Sequence, residues 1–180
     1  MRTSQKTIQV LNWFIIILIV GCAPGFSGKR VSIMSKRQVN LDSQEKIKEI
    51  ERSNLDENSN ELLYSIRHYI GTPYKFGGDS YRGMDCSGFV ATVFKESYNI
   101  DLPHSANQIY QRCQKIPTIE LNLGDLVFFN TNQDSEINHV GIYLTKGYFA
   151  HASISYGVVI SNLGEDYYRS RYFGAGRVVE

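Results

Sequence analysis

The change of periodicity along the chain is the feature that most constrains its fold. Between residues 59 and 98 apolar side chains recur at helical spacing, in one segment that Gly71 ends and in a second segment behind Cys86. A shorter helix is predicted from about Ser105 to Cys113. Helices followed by antiparallel strands predict an α+β domain with its helices on one side of the sheet. The predicted strands are short, rich in β-branched and aromatic residues and bounded by turns: GDLVFFN, HVGIYLT, GYFAHAS, GVVISN and GAGRVVE.

The first residues differ in character from this domain. Arg2 and Lys6 precede an apolar run from Val10 to Val20, a pattern typical of a secretory signal. The run is shorter than the roughly 20 residues that a membrane-spanning helix needs. It ends in IVGC, which resembles the cleavage box of bacterial lipoproteins, and this resemblance implies that residues 1–21 are removed and that Cys22 carries the lipid. The alternative is a signal-anchor helix with a bystander cysteine.

Residues 22–57 are predicted to connect the lipid to the domain. The first part of this segment is polar and has no lasting period, which is typical of a tether. A helix that begins with the capping residues Asp42 and Ser43 follows it. Since Ile47 and Ile50 are nearly its only apolar residues, we expect a solvated helical arm.

Cys86 lies at the predicted start of the second long helix, in the sequence MDCSGFV, with Asp85 as the predicted N-cap. Unpaired backbone N–H groups and the positive end of the helix dipole stabilise a thiolate relative to a thiol. We therefore expect the pKa of Cys86 to lie below the ordinary value of about 8.5. The same N–H groups can stabilise an oxyanion after attack on a carbonyl. The alternative is a structural thiol, because free cysteine is among the most buried residue types.

His139 and His151 flank a predicted β-hairpin. With Thr145, Lys146 and Gly147 as a three-residue loop, the two histidines become diagonal neighbours on one face of the sheet, where their side chains can touch. A two-residue loop at Lys146 and Gly147 would instead send the rings to opposite faces. We predict the three-residue loop and a contact between the rings.

Together these residues suggest a mechanism. Cys86 is the predicted nucleophile, His139 the general base and later acid, and His151 the neutral group that fixes the orientation and tautomer of the first imidazole. Either histidine could instead be a satisfied polar residue of the sheet.

Five short motifs in order, GTPYKFGG, DCSGFV, GDLVFF, HVGIY and HA, resemble the NlpC-type family of cell-wall cysteine peptidases over roughly residues 62–179. The resemblance implies a papain-like fold with residues 58–180 as the catalytic domain. It also implies hydrolysis of peptide bonds in the stem peptides of peptidoglycan, usually the bond between D-glutamate and a diamino acid. It carries Cys86, His139 and His151 over as the catalytic residues.

The resemblance extends to the surroundings of the nucleophile. Tyr74 matches an active-site hydroxyl near the oxyanion site, and Asp85 and Ser87 match the residues that flank the cysteine. Packing is the alternative role of Tyr74. The chain departs from the family at His104, where relatives commonly have Arg, and at Phe76, where Trp is frequent. Both departures concern contacts with substrate.

Composition limits the partners. The formal net charge of +1 gives no basic stripe, so no nucleic acid is expected. Cys86, Cys113 and the four histidines show neither Cys-x-x-Cys nor His-Glu-x-x-His spacing, so we expect no metal and no other cofactor. Cys113 is predicted to lie in the core, and a disulfide between it and Cys86 would remove the nucleophile. The expected partners are peptidoglycan stem peptides and, through Cys22, a membrane; we expect a monomer.

Two other classes of function remain open on the same residues. One is a different acyl-transfer enzyme, such as an amidase of the bond between N-acetylmuramic acid and L-alanine or an acyltransferase. The other is a non-catalytic lipoprotein that binds the wall. Ala23 after the lipidated cysteine is compatible with the periplasmic side of the outer membrane in a double-membraned bacterium.

Overall fold

The two periodicities of the sequence form two layers, helices and a sheet. The computed structural model describes residues 34–52, 56–132 and 136–179. The predicted signal segment and Cys22 lie outside the described residues. No helix within these ranges is long and apolar enough to cross a membrane. The helices are α1 (Lys36–Glu51), α2 (Glu57–Tyr69), α3 (Cys86–Tyr98), α4 (Ala106–Arg112) and α5 (Asp166–Arg169). The strands are β1 (Asp79–Ser80), β2 (Gly83–Met84), β3 (Gln114–Ile116), β4 (Leu126–Phe129), β5 (His139–Thr145), β6 (Tyr148–Ser153), β7 (Gly157–Asn162) and β8 (Tyr172–Arg177).

Six strands form one antiparallel sheet in the order β3-β8-β4-β5-β6-β7, and β1 and β2 form a separate hairpin. Strand β4 shows that both faces of this sheet are covered. Leu126 and Phe128 join the core under α2 and α3, whereas Val127 and Phe129 join an aromatic cluster on the other face. The α+β class is as predicted, but the helices are not confined to one side, because Tyr168 of α5 packs on this second cluster.

Helix α1 differs from the predicted solvated arm. It begins at Lys36, and its N-cap is Ser35 instead of the predicted Asp42 and Ser43. Ile47 is fully buried in the core, and Ser43 Oγ accepts a hydrogen bond of 3.0 Å from the backbone N–H of Ile160 on β7. Residues 43, 47 and 50 share one helical face, so a serine completes an interface that two isoleucines alone did not indicate.

Helix α2 agrees with the prediction. Asp56 caps its start by accepting a hydrogen bond of 2.8 Å from the Ser59 backbone N–H, and Gly71 follows its end with a φ of 91°. Its buried face consists of Leu62, Leu63, Ile66 and Tyr69. Helix α3 packs between α2 and the strands β5 and β6, and its first residue lies at the start of β5.

Candidate active site

The start of α3 is held by one carboxylate. Asp85 Oδ1 accepts hydrogen bonds from Gly88 N at 2.7 Å and from Ser87 Oγ at 2.9 Å, and Oδ2 accepts one from Gly77 N at 2.7 Å. Cys86 is therefore the first residue of the helix and Asp85 its N-cap, as predicted. Both oxygens of Asp85 tie the helix to the glycine-rich loop, so contact of Asp85 or Ser87 with substrate stays a prediction.

The sulfur of Cys86 reaches the start of β5. Its Sγ lies 3.8 Å from the carbonyl oxygen of Asn138 and accepts a hydrogen bond from the Val140 backbone N–H. These two residues flank His139 in the sequence. The sulfur thus lies against the backbone that carries the predicted base.

Burial opposes ionisation of this thiol. It raises the pKa of Cys86 to about 11, outweighing the hydrogen bonds from the backbone N–H groups of Val140 and of the helix start, which lower it. The predicted depression of this pKa is therefore wrong. The sequence indicated the helix start but not the depth of the side chain, which is 8% exposed. At neutral pH the resting group is a thiol.

The two histidines are in direct contact. His139 Nε2 lies 2.9 Å from His151 Nδ1, and the ring planes are nearly perpendicular, at 84°. Because Nε2 of His139 is engaged, its Nδ1 is the nitrogen available to exchange a proton with a thiol. Burial lowers the pKa of His139 to about 4 and that of His151 well below its ordinary 6.5. Both imidazoles are neutral at neutral pH.

The hairpin that joins the histidines corrects the predicted loop but keeps the predicted face. Thr145 pairs with Tyr148, so the loop has two residues, Lys146 and Gly147, with φ values of 50° and 84°. By itself this loop would place the rings on opposite faces. An irregularity at Leu144, between the pairs of Tyr143 and Thr145, inserts one residue and restores the predicted pairing closer to the histidines.

Gly141 of the HVGIY motif permits the close approach of β5 and β6 beside the histidines. A Cβ at this position would lie 2.7 Å from Phe149 Cδ2 and 2.8 Å from the carbonyl oxygen of Ala150. Real Cβ atoms do not tolerate such distances. The glycine is therefore a steric requirement of the pair of strands that carries both imidazoles.

The predicted residues line two clefts. The first cleft, of about 390 Å³, is lined by Cys86. The second cleft, of about 350 Å³, is lined by His139 and His151. Phe76 is 88% exposed at the first cleft, and His104 is exposed there as well, so both departures from the family face the space beside the nucleophile. The predicted residues in the first cleft are Tyr74, Phe76, Asp85, Cys86, Ser87 and His104.

Tyr74 is a neutral hydroxyl next to the nucleophile. Burial raises its pKa, and the nearby ionisable groups of Cys86 and Asp85 raise it further. A phenol that keeps its proton can donate a hydrogen bond to a developing oxyanion. This environment is compatible with the role that the resemblance implies.

Two residues near the histidines had no signal in the sequence. His151 Nε2 lies 3.1 Å from Ser161 Oγ and 3.1 Å from Tyr168 Oη. A serine in a strand and a tyrosine in a tyrosine-rich segment have no spacing that relates them to a histidine. The pairing of β7 with β6 brings Ser161 to the histidine, and the packing of α5 on the sheet brings Tyr168 there.

The two described cysteines, Cys86 and Cys113, do not form the disulfide that would remove the nucleophile. Cys86 and Cys113 are both free thiols, and burial is the main cause that raises the pKa of Cys113 to about 11. In the part of the chain that the structure describes, no group of three or more His, Cys, Asp or Glu side chains could hold a metal ion.

Several known proteins are similar to this chain in sequence. The model of the NlpC/P60 family matches residues 71–177. The "Probable endopeptidase NlpC homolog" of Haemophilus influenzae is 42% identical over 118 residues, which are 66% of this chain and 62% of that protein. The "Murein DD-endopeptidase MepS/Murein LD-carboxypeptidase" of Escherichia coli K12 is 36% identical over 118 residues, with the same two shares. The match thus spans less than two thirds of the length of either relative.

A solved structure supports the fold. The crystal structure of an NlpC/P60 family protein from Bacillus cereus superposes with a TM-score of 0.62 at 29% identity. The superposition covers 68% of this chain and 40% of that one. The described helices and antiparallel sheet therefore have the same fold as this Bacillus cereus protein.

Proposed function

The chain belongs to the NlpC/P60 family, and on that premise we propose that it is a cysteine peptidase that hydrolyses peptide bonds in the stem peptides of peptidoglycan. The observation that carries the proposal is the 2.9 Å contact between His139 and His151 at the strand start that the Cys86 sulfur reaches. The names of the two relatives, an endopeptidase homolog and a murein endopeptidase, support the substrate class.

The first half of the reaction begins from neutral groups. As the Cys86 sulfur attacks the carbonyl carbon, its proton passes to Nδ1 of His139, and the carbonyl electrons move onto oxygen. Backbone N–H groups at the start of α3 and the Tyr74 hydroxyl donate to this oxyanion. The bond from carbon to nitrogen then breaks, and His139 gives its proton to the leaving amine. A raised thiol pKa favours proton transfer during the attack over a preformed ion pair.

Water completes the reaction. His139 Nδ1 takes a proton from a water molecule whose oxygen bonds to the acyl carbon. The bond from carbon to sulfur breaks, and Cys86 regains its proton from the imidazolium. Throughout, His151 Nδ1 accepts the hydrogen bond from His139 Nε2, which keeps the base in one orientation.

The bond that is cut has two candidates. The family resemblance implies the bond between D-glutamate and the diamino acid, and we propose this bond for the chain. The Escherichia coli relative carries the name of a DD-endopeptidase, which favours the cross-link between stem peptides as the second candidate.

Defined muropeptides distinguish these possibilities. Full-length protein purified in detergent is incubated with a cross-linked dimer and with an uncross-linked monomer, and the products are weighed by mass spectrometry. Cleavage after D-glutamate releases a fragment that begins with the diamino acid from the monomer. Cleavage of the cross-link converts only the dimer, with the gain of one water. Release of the whole peptide from the sugar indicates an amidase, and unchanged masses contradict the enzymatic proposal.

We also propose that Cys22 carries a lipid and holds residues 58–180 at the periplasmic side of an outer membrane where the cell has one. The apolar run, IVGC and Ala23 support this proposal. Incorporation of radiolabelled palmitate into wild-type protein and into the Cys22→Ser variant tests it. Equal labelling of the two proteins would contradict it.

A further inference from the structure

The hydrogen bonds of His151 continue beyond His139. On the far side of its ring, Nε2 lies 3.1 Å from Ser161 Oγ, a residue of β7, and 3.1 Å from Tyr168 Oη, a residue of α5. Ser161 Oγ in turn donates to Tyr168 Oη at 3.3 Å. His151 is 1% exposed, so its hydrogen bonds are made within the protein. These hydrogen bonds form a network that runs from His139 through His151 to Ser161 and Tyr168.

The donor-to-acceptor direction of the hydrogen bonds in this network decides whether His139 can act as a base. If Nε2 of His151 carries the proton and donates to the hydroxyls, its Nδ1 accepts from Nε2–H of His139. The lone pair of His139 then lies on Nδ1, where a thiol proton can be taken. If a hydroxyl donates to His151 Nε2 instead, both tautomers reverse. His139 then carries its proton on Nδ1 and cannot accept another there while neutral.

The contact between the two hydroxyls favours the competent direction. Since Ser161 donates its single proton to Tyr168, its oxygen lone pairs are left to accept the N–H of His151. The 3.1 Å contact of Ser161 Oγ with His151 Nε2 is then a hydrogen bond only when Nε2 carries the proton, and in that state Tyr168 Oη is an acceptor as well. Burial raises the pKa of Tyr168 to about 12, so it is a neutral phenol at neutral pH.

We propose that Ser161 and Tyr168 are positioning residues that fix the tautomer of His151 and, through it, the tautomer of His139. The proposal rests on the peptidase function proposed above, because it assigns the two hydroxyls to the proton transfer of His139. Ser161 matters more than Tyr168. A phenol is a better donor and a poorer acceptor than an alcohol, so Tyr168 alone would donate to His151 Nε2 and favour the wrong tautomer.

His151 and Tyr168 have different neighbours. His139 faces His151 from β5, Phe149 lies beside it on β6, and among the described residues the other hydrogen-bond partners of His151 are the two hydroxyls. Glu165 and the phenols of Tyr156 and Tyr167 act on Tyr168 and raise its pKa further, after burial. The hydrogen-bond partners of His151 among the described residues, His139, Ser161 and Tyr168, include no carboxylate. A neutral pair of hydroxyls therefore occupies the place that an acidic residue takes in other triads.

The test combines kinetics with imidazole ¹⁵N chemical shifts, which report the tautomer without substrate. The variants are Ser161→Ala, Ser161→Thr and Tyr168→Phe in the full-length protein. Tyr167→Phe is the matched control, because it removes the same kind of hydroxyl from the neighbouring residue, which is not part of the hydrogen-bond network. Muropeptide turnover gives kcat and KM, and the NMR spectra are recorded at neutral pH.

Ser161→Ala should lower kcat by about 10-fold to 100-fold with little change in KM, an effect at or below the lower end of general acid–base effects. Both histidines should shift toward the tautomer with the proton on Nδ1. Ser161→Thr should restore kcat and the tautomer, Tyr168→Phe should have a smaller effect than Ser161→Ala, and Tyr167→Phe should resemble wild type.

Two results would overturn the proposal. One is an unchanged tautomer in Ser161→Ala, whether or not kcat falls, because a loss of activity alone would indicate packing. The other is a Tyr167→Phe variant that shifts the tautomer as much as Ser161→Ala. If wild-type protein cleaves no muropeptide, the proposed function fails, while the NMR comparison still decides the control of the tautomer by Ser161.

Discussion

The carbonyl oxygen of Gly78 lies against Gly88 so closely that a Cβ on Gly88 would overlap it. This contact packs the glycine-rich loop onto the first turn of α3. It explains the glycine of the DCSG motif as a steric requirement and not as a source of flexibility. The same contact sets the distance between the loop and the nucleophile's helix.

Gly88→Ala should therefore displace the loop from the helix. We expect a loss of about 1–3 kcal/mol in the free energy of unfolding, typical of overpacking, together with a large loss of turnover. Urea denaturation and muropeptide turnover measure the two effects. Gly174→Ala is the matched control, since its nearest neighbour would be Tyr110 Oη at an ordinary 3.6 Å. Equal stability of the two variants would contradict the steric explanation.

Alkylation of Cys86 should report a protonated resting thiol. Because burial raises its pKa to about 11, the thiolate fraction increases about tenfold with each pH unit below that value. The rate of reaction with iodoacetamide should rise steadily from pH 6 to pH 9, as followed by intact-protein mass spectrometry with Cys22→Ser and Cys113→Ala to remove the other two thiols. A rate that is already high and constant below pH 7 would indicate a preformed ion pair.

The two histidine positions should respond differently to substitution. His139→Ala removes the base and should reduce turnover to background, whereas His151→Gln should retain more activity, because an amide oxygen can still accept from His139 Nε2. His68→Ala is the control, since that ring stacks with tyrosines around α2, outside the site. Parallel kinetics on the three variants measure the difference. Equal and complete loss in His139→Ala and His151→Gln would remove the proposed division of roles.

The buried histidines should also destabilise the fold in acid. An unfolded histidine has a pKa of 6.5, whereas that of His139 is about 4 and that of His151 is well below 6.5. Between these values the unfolded chain binds more protons, so the free energy of unfolding falls as the pH falls. The slope is at most about 1.4 kcal/mol per pH unit for each histidine.

A denaturation series in urea from pH 7 to pH 4 measures this slope. The double variant His139→Gln/His151→Gln should lose less stability over the range than wild-type protein, because the carboxylates are common to both. Identical slopes would show that the histidines are not held neutral by burial.

The sequence predicted much of this site because local rules govern its parts. The cap at Asp85, the helix start at Cys86 and the common face of His139 and His151 follow from capping preferences and strand alternation. The irregularity at Leu144 had no signal, and the predicted face was correct only because this inserted residue offsets a shorter loop.

The remaining differences come from tertiary packing. Depth decides the pKa of Cys86, and depth depends on how the core packs around the helix start. Tertiary packing also decides the role of Ser43. The sequence predicts a capping residue, but the Ser43 hydroxyl accepts a hydrogen bond from the backbone N–H of Ile160 on β7. Ser161 reaches His151 from the neighbouring strand β7 and Tyr168 reaches it from α5, and no local pattern of the sequence relates either residue to the histidine.

Turnover of a defined muropeptide by Cys86→Ala, compared with Cys113→Ala, tests the central claim most directly. Both changes remove one buried thiol from the same domain. The account predicts no product from Cys86→Ala, with its circular dichroism spectrum unchanged, and retained turnover in Cys113→Ala. Product formation by Cys86→Ala at the wild-type rate would contradict the claim that this sulfur is the nucleophile.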